Sequence, residues 1–281
     1  MTKDHTHVSV FADLHNHTTA SDGTRSPAEL IEKAAFLGIC AVGVTDHDTL
    51  KGLPEALTAG IQQGIEVVSG VEISIRFKRP GFVGTLHLLY YFTAARFSDP
   101  SFVRELNRVL SGGRGEALVR ARIHEINRWF GPGSNAPILG RDMGYEDIAE
   151  LSDNATRRHF ALALKNGFGI QDPLVINRIL GNESPAYLPS GIDLRAVAPI
   201  LGHPGTLSVL AHPAAGSFPG GGHYREVLPP LETVLERLPE FLNAGIQGLE
   251  VYYPGHTKAH RSEERRVGKE CRTVGLRGDS K

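Results

Sequence analysis

Five apolar runs of strand character, taken in succession, each end in or carry a histidine or a carboxylate. No other feature limits the fold as much. His15 and His17 follow "HVSVFAD", Asp46, His47 and Asp48 follow "ICAVGVT", and Glu72 closes "IEVVSGVE". His87 lies within "TLHLLYYF", and His212 follows "GTLSVLA". Helical patterns separate the early runs. In "SPAELIEKAAFLG", Ser26 is set to cap the helix, Pro27 takes its first position, Glu29 completes a capping box and Gly38 ends it. "LPEALTAGIQQG" predicts a second helix. Strand–helix–strand repetition points to a parallel sheet or barrel, and in such a barrel the strand ends form one face where active sites sit. Residues at i and i+2 of a strand point to the same side, so His15 and His17 can grip one ion.

The texture changes after residue 96. "PSFVRELNRVLSGGRGEALVRARIHEINRWFG" and "YEDIAELSDNATRRHFALALKNGFG" carry helical spacing and recurrent basic residues. The expected organisation is an α/β barrel first part at 8–96, a mainly helical insertion at 97–190 and a barrel second part at 191–260. The second part holds the helix "LETVLERLPEFLNAG" and the strand "IQGLEVYYP". Residues 261–281 lack apolar periodicity and resemble an "EERRVGKECR" tail that recurs on truncated sequences, so they are read as non-native.

Composition narrows the function classes. The 281 residues carry a formal net charge of −1, which gives no basis for non-specific adhesion to duplex nucleic acid or membrane. The longest apolar stretch is too short to span a bilayer, and the first ten residues lack a signal-peptide pattern. Two cysteines exclude a disulfide framework and make a cytoplasmic location the expectation. Thirteen histidines point instead to imidazole and carboxylate as metal donors. Each motif has a plainer alternative: Asp22 in "SDG" suits a turn, "TDHD" suits a cap, His87 suits a hydrogen-bonded core position, and "AHP" suits a turn before proline. It is their coincidence at successive strand ends that argues for a metal site.

The motifs "DLHNHTTASDG", "GVTDHD", "GVEIS", "LHLLYY", "LAHP" and "GLEVYYPGHT" together resemble the PHP (polymerase and histidinol phosphatase) superfamily over residues 8–260. Their order and the insertion resemble its stand-alone phosphoesterase branch, which includes 3′,5′-nucleoside bisphosphate phosphatases and 5′-to-3′ RNA- and oligonucleotide-trimming enzymes. The resemblance implies a distorted (β/α)7 barrel with up to three divalent transition metals, manganese above all, or iron or zinc. It places His15, His17 and Glu72 on a first metal, Glu72, His87 and His212 on a second, and Asp22 and His47 on a third. A late Asp-X-His motif expected of the family does not occur in this sequence, so the barrel is expected to be truncated before its final strand.

The resemblance also makes Arg157, Arg158 and His159 a phosphate-recognising element. Guanidinium groups match phosphate oxygens bidentately and a helix N-terminus adds backbone donors, although the same residues suit a solvated basic turn. His256 in "YYPGHT" is a further candidate substrate contact, with a surface loop as its plainer alternative. The expected chemistry is hydrolysis of phosphate esters, in nucleoside bisphosphates or short 5′-phosphorylated oligonucleotides, by metal-activated water. His47, Arg157, Arg158 and His159 are the candidate catalytic groups. Asp46, counted with them, and Asp48 suit orienting His47 or its loop. Two rivals remain: an amidohydrolase-like enzyme, which would need a metal-bridging lysine for which Lys51 is the sole candidate, and a non-catalytic metal-binding module.

Overall fold

The computed structural model describes residues 12–79, 82–181, 183–214 and 231–252. The proposed tail, His256 and the first ten residues lie outside the described residues. Strand β1 (Ala12–Asn16) leads through the histidine loop to helix α1 (Pro27–Phe36). The capping box forms as the sequence predicts: Glu29 N–H donates to Ser26 Oγ (3.2 Å) and Ser26 N–H to Glu29 Oε2 (2.8 Å). Strand β2 (Ala41–Val44) and helix α2 (Leu53–Gln63) follow, and Gly64 ends α2 at φ 67°, a conformation that costs glycine nothing. Next come β3 (Glu66–Arg79), β4 (Phe82–Phe92), α3 (Ala94–Phe97) and α4 (Pro100–Leu110). Helices α5 (Glu116–Phe130), α6 (Glu146–Ala149), α7 (Arg157–Gly167) and α8 (Pro173–Leu180) form the insertion. Strand β5 (Ile192–Asp193), α9 (Leu194–Val197), β6 (Thr206–Leu210), α10 (Leu231–Glu236), α11 (Leu238–Asn243) and β7 (Gly248–Leu249) complete the described chain.

One seven-stranded sheet runs in the order β1-β2-β3-β4-β6-β7, with β5 branching from β3. It is a curled, mixed sheet, which corrects the expectation of a parallel one. β4 runs antiparallel to both β3 and β6, whereas β1–β2, β2–β3, β3–β5 and β6–β7 are parallel. The reason is local. Arg79 pairs with Phe82, and a two-residue connection can join only antiparallel neighbours. A second correction concerns Glu72, which lies inside the fourteen-residue β3 rather than at its end. β3 outlasts its partner β2, so Glu72 pairs instead with the loop that follows β2. Glu72 N–H donates to Asp46 O (3.2 Å), and Asp48 N–H donates to Glu72 O (3.0 Å).

The main core packs Val42, Val44, Ile73, Ile75 and Leu88 of the sheet against Ile31 of α1 and Leu53 and Ala56 of α2. Ile31 is wholly buried, and its truncation to alanine should cost about 2–5 kcal/mol. A separate core joins Val119, Ile123, Ile126, Phe160, Leu164, Ile176 and Ile179. Phe102, Leu106 and Val109 of α4 pack with the sheet, so the insertion's own core starts at α5, later than the change of texture at residue 97 suggests. Gly113 docks the loop between α4 and α5 onto the barrel. Its carbonyl accepts from Gly191 N–H (3.0 Å), and a Cβ at Gly113 would meet the Gly191 backbone at 2.7 Å. That close approach carries the neighbouring Arg114 over the mouth of the sheet.

Candidate metal centre and its arginine roof

Glu72 is 1% exposed and is the hub of the site. Its Oε2 lies 3.2 Å from His15 Nε2, 3.0 Å from His17 Nε2 and 3.3 Å from His47 Nδ1. Its Oε1 lies 3.0 Å from His87 Nδ1 and 3.1 Å from His212 Nε2. Four elements deliver these rings: β1 and the loop after it, the loop after β2, the middle of β4, and the end of β6. His15 and His17 do face the same side, with Nε2 atoms 3.2 Å apart. The structure therefore brings together every metal-ligand candidate read from the sequence, with Asp22 at the rim. Asp22 Oδ1 stands 3.9 Å from His17 Nδ1, and Oδ2 stands 3.8 Å from His47 Nε2.

The donor set fits metal ions. Two ligands at about 2.1 Å from one ion stand roughly 3 to 3.5 Å apart, close to the spacings found here. Three groups gather their donor atoms within 4.8 Å of one another: His15, His17 and Glu72; His17, Asp22 and His47, the loosest of the three at 3.8–3.9 Å from Asp22; and His47, Glu72 and His87. His17 Nδ1 and His47 Nδ1 are buried with no hydrogen-bond partner, an arrangement that costs free energy unless a ligand completes it. Burial would raise the Glu72 carboxyl, but His47, His87 and His15 hold it well below its usual range. Burial, together with His17 and His87, drives the His47 imidazole well below 6.5 and leaves it a neutral donor. His15 also suffers burial, yet Glu72 and Glu250 overcome it and push the group up to about 10.

The carboxylates of the "TDHD" loop have structural partners. Asp46 is 2% exposed; its Oδ1 accepts from Thr18 N–H (2.7 Å) and Ser21 Oγ–H (2.6 Å), and its Oδ2 accepts from Thr18 Oγ1–H (2.7 Å). It pins the "HTTASDG" loop to β2 and so aims His17 and Asp22. Asp48, at φ 50°, accepts from Ser74 N–H (2.7 Å) and Oγ–H (2.7 Å) and pairs with Arg114. His212 sits at φ 29°, a strained backbone for a non-glycine residue and a frequent mark of functional positions.

Above the centre lies an open cleft, about 530 Å³ of empty space with adjoining solvent counted in, floored by Asp22, His47 and His87 and roofed by Arg114, Arg122, Arg157 and Arg158. Arg157 lies over the Tyr187 ring at 5.2 Å, and its Nη1 is buried with no hydrogen-bond partner. Arg158 Nη1 donates to Asp22 O (2.5 Å), so this candidate phosphate contact also braces a candidate ligand loop. Arg122 donates twice to Leu188 O, at 3.1 and 3.0 Å. His159 is buried in the cap of its own helix, where Nδ1 accepts from Thr156 N–H (2.9 Å). Asn154 Nδ2 donates to His47 O (2.6 Å), tying the insertion to the loop after β2. Lys51, the candidate bridging lysine of the amidohydrolase-like alternative, is largely exposed and pairs with Asp153 on the surface.

Sequence reasoning missed Arg114, Arg122, Asn154 and Glu250. Arg114 stands in a glycine-rich break that shows only as a helix stop, and Asn154 looks like any loop residue. Glu250 shows only as part of a strand, yet its Oε1 lies 2.9 Å from His15 Nδ1.

Residues 13–172 match the PHP domain family, and the chain belongs to it. It is 28% identical to a 5′-3′ exoribonuclease of Haemophilus influenzae over 92% of this chain and 85% of that one. It is 30% identical to a 3′,5′-nucleoside bisphosphate phosphatase of Chromobacterium violaceum over 87% of this chain and 78% of that one. In fold it is similar to a Chromobacterium violaceum amidohydrolase solved with sulfate and no metal. That likeness has TM-score 0.69 and 23% identity and covers 93% of this chain and 84% of the other. Among the described residues no helix is long and apolar enough to cross a membrane.

Proposed function

We propose that the protein is a metal-dependent phosphoesterase that hydrolyses phosphate esters of nucleotides, either nucleoside bisphosphates or short 5′-phosphorylated oligonucleotides. The observation that carries this reading is the pairing of a floor of five imidazoles and the Glu72 and Asp22 carboxylates with a roof of arginines across one cleft. The two relatives above are named as a 5′-3′ exoribonuclease and a 3′,5′-nucleoside bisphosphate phosphatase, which supports a nucleotide or RNA substrate class.

His15, His17 and Glu72 would hold a first divalent ion, Glu72, His87 and His212 a second, and Asp22 and His47 a third, with manganese the foremost candidate and iron or zinc the others. Ions in such sites supply Lewis acidity and lower the pKa of water towards neutrality. The chain's own groups do the rest. Arg157, with its unpaired Nη1, offers charged donors to phosphoryl oxygens, and Arg114 and Arg158 add positive charge across the cleft. Asp46 and Asn154 fix the loops that carry Asp22 and His47. A phosphate-release screen with manganese, using nucleoside bisphosphates, 5′-phosphorylated oligonucleotides and carboxamides, tests the reading. Release from the nucleotides is expected; turnover of carboxamides alone would overturn it.

A further inference from the structure

Glu250 follows β7, at the opposite end of the sheet path from β1. Among the described residues no strand pairing joins β1 to β7. Glu250 nevertheless spans the gap, because its side chain meets His15, 235 positions away in sequence. Its two oxygens are divided between two candidate metal ligands. Oε1 lies 2.9 Å from His15 Nδ1, and Oε2 accepts from the backbone N–H of His212 at 2.7 Å. The carboxylate is only 11% exposed, and its own backbone N–H donates to Leu210 O (2.9 Å), so its position is fixed.

We propose that Glu250 is a positioning residue that sets two metal-ligating histidines at once, an inference that rests on the metal-dependent reading above. Held at Nδ1, His15 turns Nε2 towards Glu72 and His17, where the first ion would sit. Held at its amide, His212 keeps the left-handed backbone that swings its ring to Glu72 Oε1. A carboxylate behind a ligating histidine fixes ring orientation and raises ligand basicity, and its loss commonly weakens metal binding about 10–100-fold. One side chain therefore couples the ligand of the first strand to that of the sixth, across a gap that no strand pairing among the described residues closes.

The test uses the full chain, stripped of metal, with Glu250→Ala and the volume-preserving Glu250→Gln. Glutamine has one acceptor oxygen and cannot serve both partners, so it separates geometry from bulk. Titration with Mn²⁺ alone should show at least one ion bound about 10–100-fold more weakly in both variants. In the metal-free protein, NMR should show exchange-protected signals for His15 Nδ1–H and His212 N–H. Alanine should abolish both, and glutamine at least one. Unchanged Mn²⁺ affinity in folded variants, or protection of both signals in Glu250→Gln, would overturn the proposal. If the parent protein binds no Mn²⁺, the metal reading itself fails, while the NMR comparison still decides whether Glu250 holds the two histidines.

Discussion

The floor and the roof of the cleft are built on different principles. On the floor, β1, β3 and β4 and the residues directly after β1, β2 and β6 hold the ligand candidates, with Glu72 at the centre of a rigid sheet. On the roof, the arginines project from helix α5, from the start of α7 and from the loop before α5, on a subdomain with its own core. The five floor imidazoles converge on Glu72 at 3.0–3.3 Å, whereas the roof groups are spread around an open cleft. On the proposed reading the difference divides the labour: strands would fix the spacing of the ions, and helices would present charges to the substrate. The seam between them consists of a few contacts, chiefly Arg114 with Asp48, Asn154 with His47 O, Arg158 with Asp22 O and Lys51 with Asp153.

Removing the hub should have the largest effect. Glu72→Gln leaves five imidazoles without their common carboxylate, and kcat for phosphate release should fall by more than about 100-fold, beyond what outer contacts cost. A variant retaining a tenth of parental activity would show that the floor does not depend on Glu72. Roof variants should act differently. Arg157→Ala removes charge-assisted contacts worth about 1.5–3 kcal/mol, or about 10–150-fold in kcat/KM, mainly through KM. Because its Nη1 has no hydrogen-bond partner in the protein, thermal stability should change little. Arg158→Ala should show the raised KM together with weakened metal binding, since Arg158 also holds the Asp22 backbone. Identical behaviour of the two variants would erase the distinction between clamp and brace.

The seam offers a smaller test. Asn154→Ala deletes one buried hydrogen bond and leaves His47 O unpaired by that donor, a loss of about 1–3 kcal/mol in stability. Metal binding at the His17, Asp22 and His47 group should weaken with it, while the group around His15 stays near parental. Equal weakening at both would mean that the insertion acts on the whole floor.

The smallest effect concerns pH. Burial holds His159 below its usual value of 6.5, reinforced by Arg158 and Arg114 and opposed by Asp22. The unfolded chain then takes up the proton more readily, so His159 contributes stability above about pH 6.5 that is lost as pH falls towards the lowered folded value. The physical reason is the cap: Nδ1 must be unprotonated to accept from Thr156 N–H. In His159→Gln the capping box survives without a titrating group. Its acid-side loss of stability should be smaller than the parent's by about 1 kcal/mol or less. Parallel stability–pH curves would show that the cap does not depend on the protonation of His159.

How much of this was legible in the sequence follows from how local each signal is. The Ser26–Glu29 box lies within four residues and formed as expected. His15, His17, His47 and His212 were legible because each sits where an apolar run ends, and Glu72 was found through the same pattern although β3 runs past it. The antiparallel β4 escaped a reading based on strand–helix alternation, because its signal is a two-residue connection between long strands. Arg114 meets Asp48 across 66 residues and Glu250 meets His15 across 235, with nothing in either local stretch to mark the partner. Contacts of that kind exist only once the sheet has curled.

The account stands on the claim that the strand-borne histidines and Glu72 form a metal centre. Elemental analysis of the 281-residue chain, expressed in medium supplemented with manganese, iron and zinc, measures this directly. The account predicts more than one equivalent of transition metal in the parent and a clear drop in Glu72→Gln. A folded parent protein with no metal, or a Glu72→Gln variant with the same content, would contradict it.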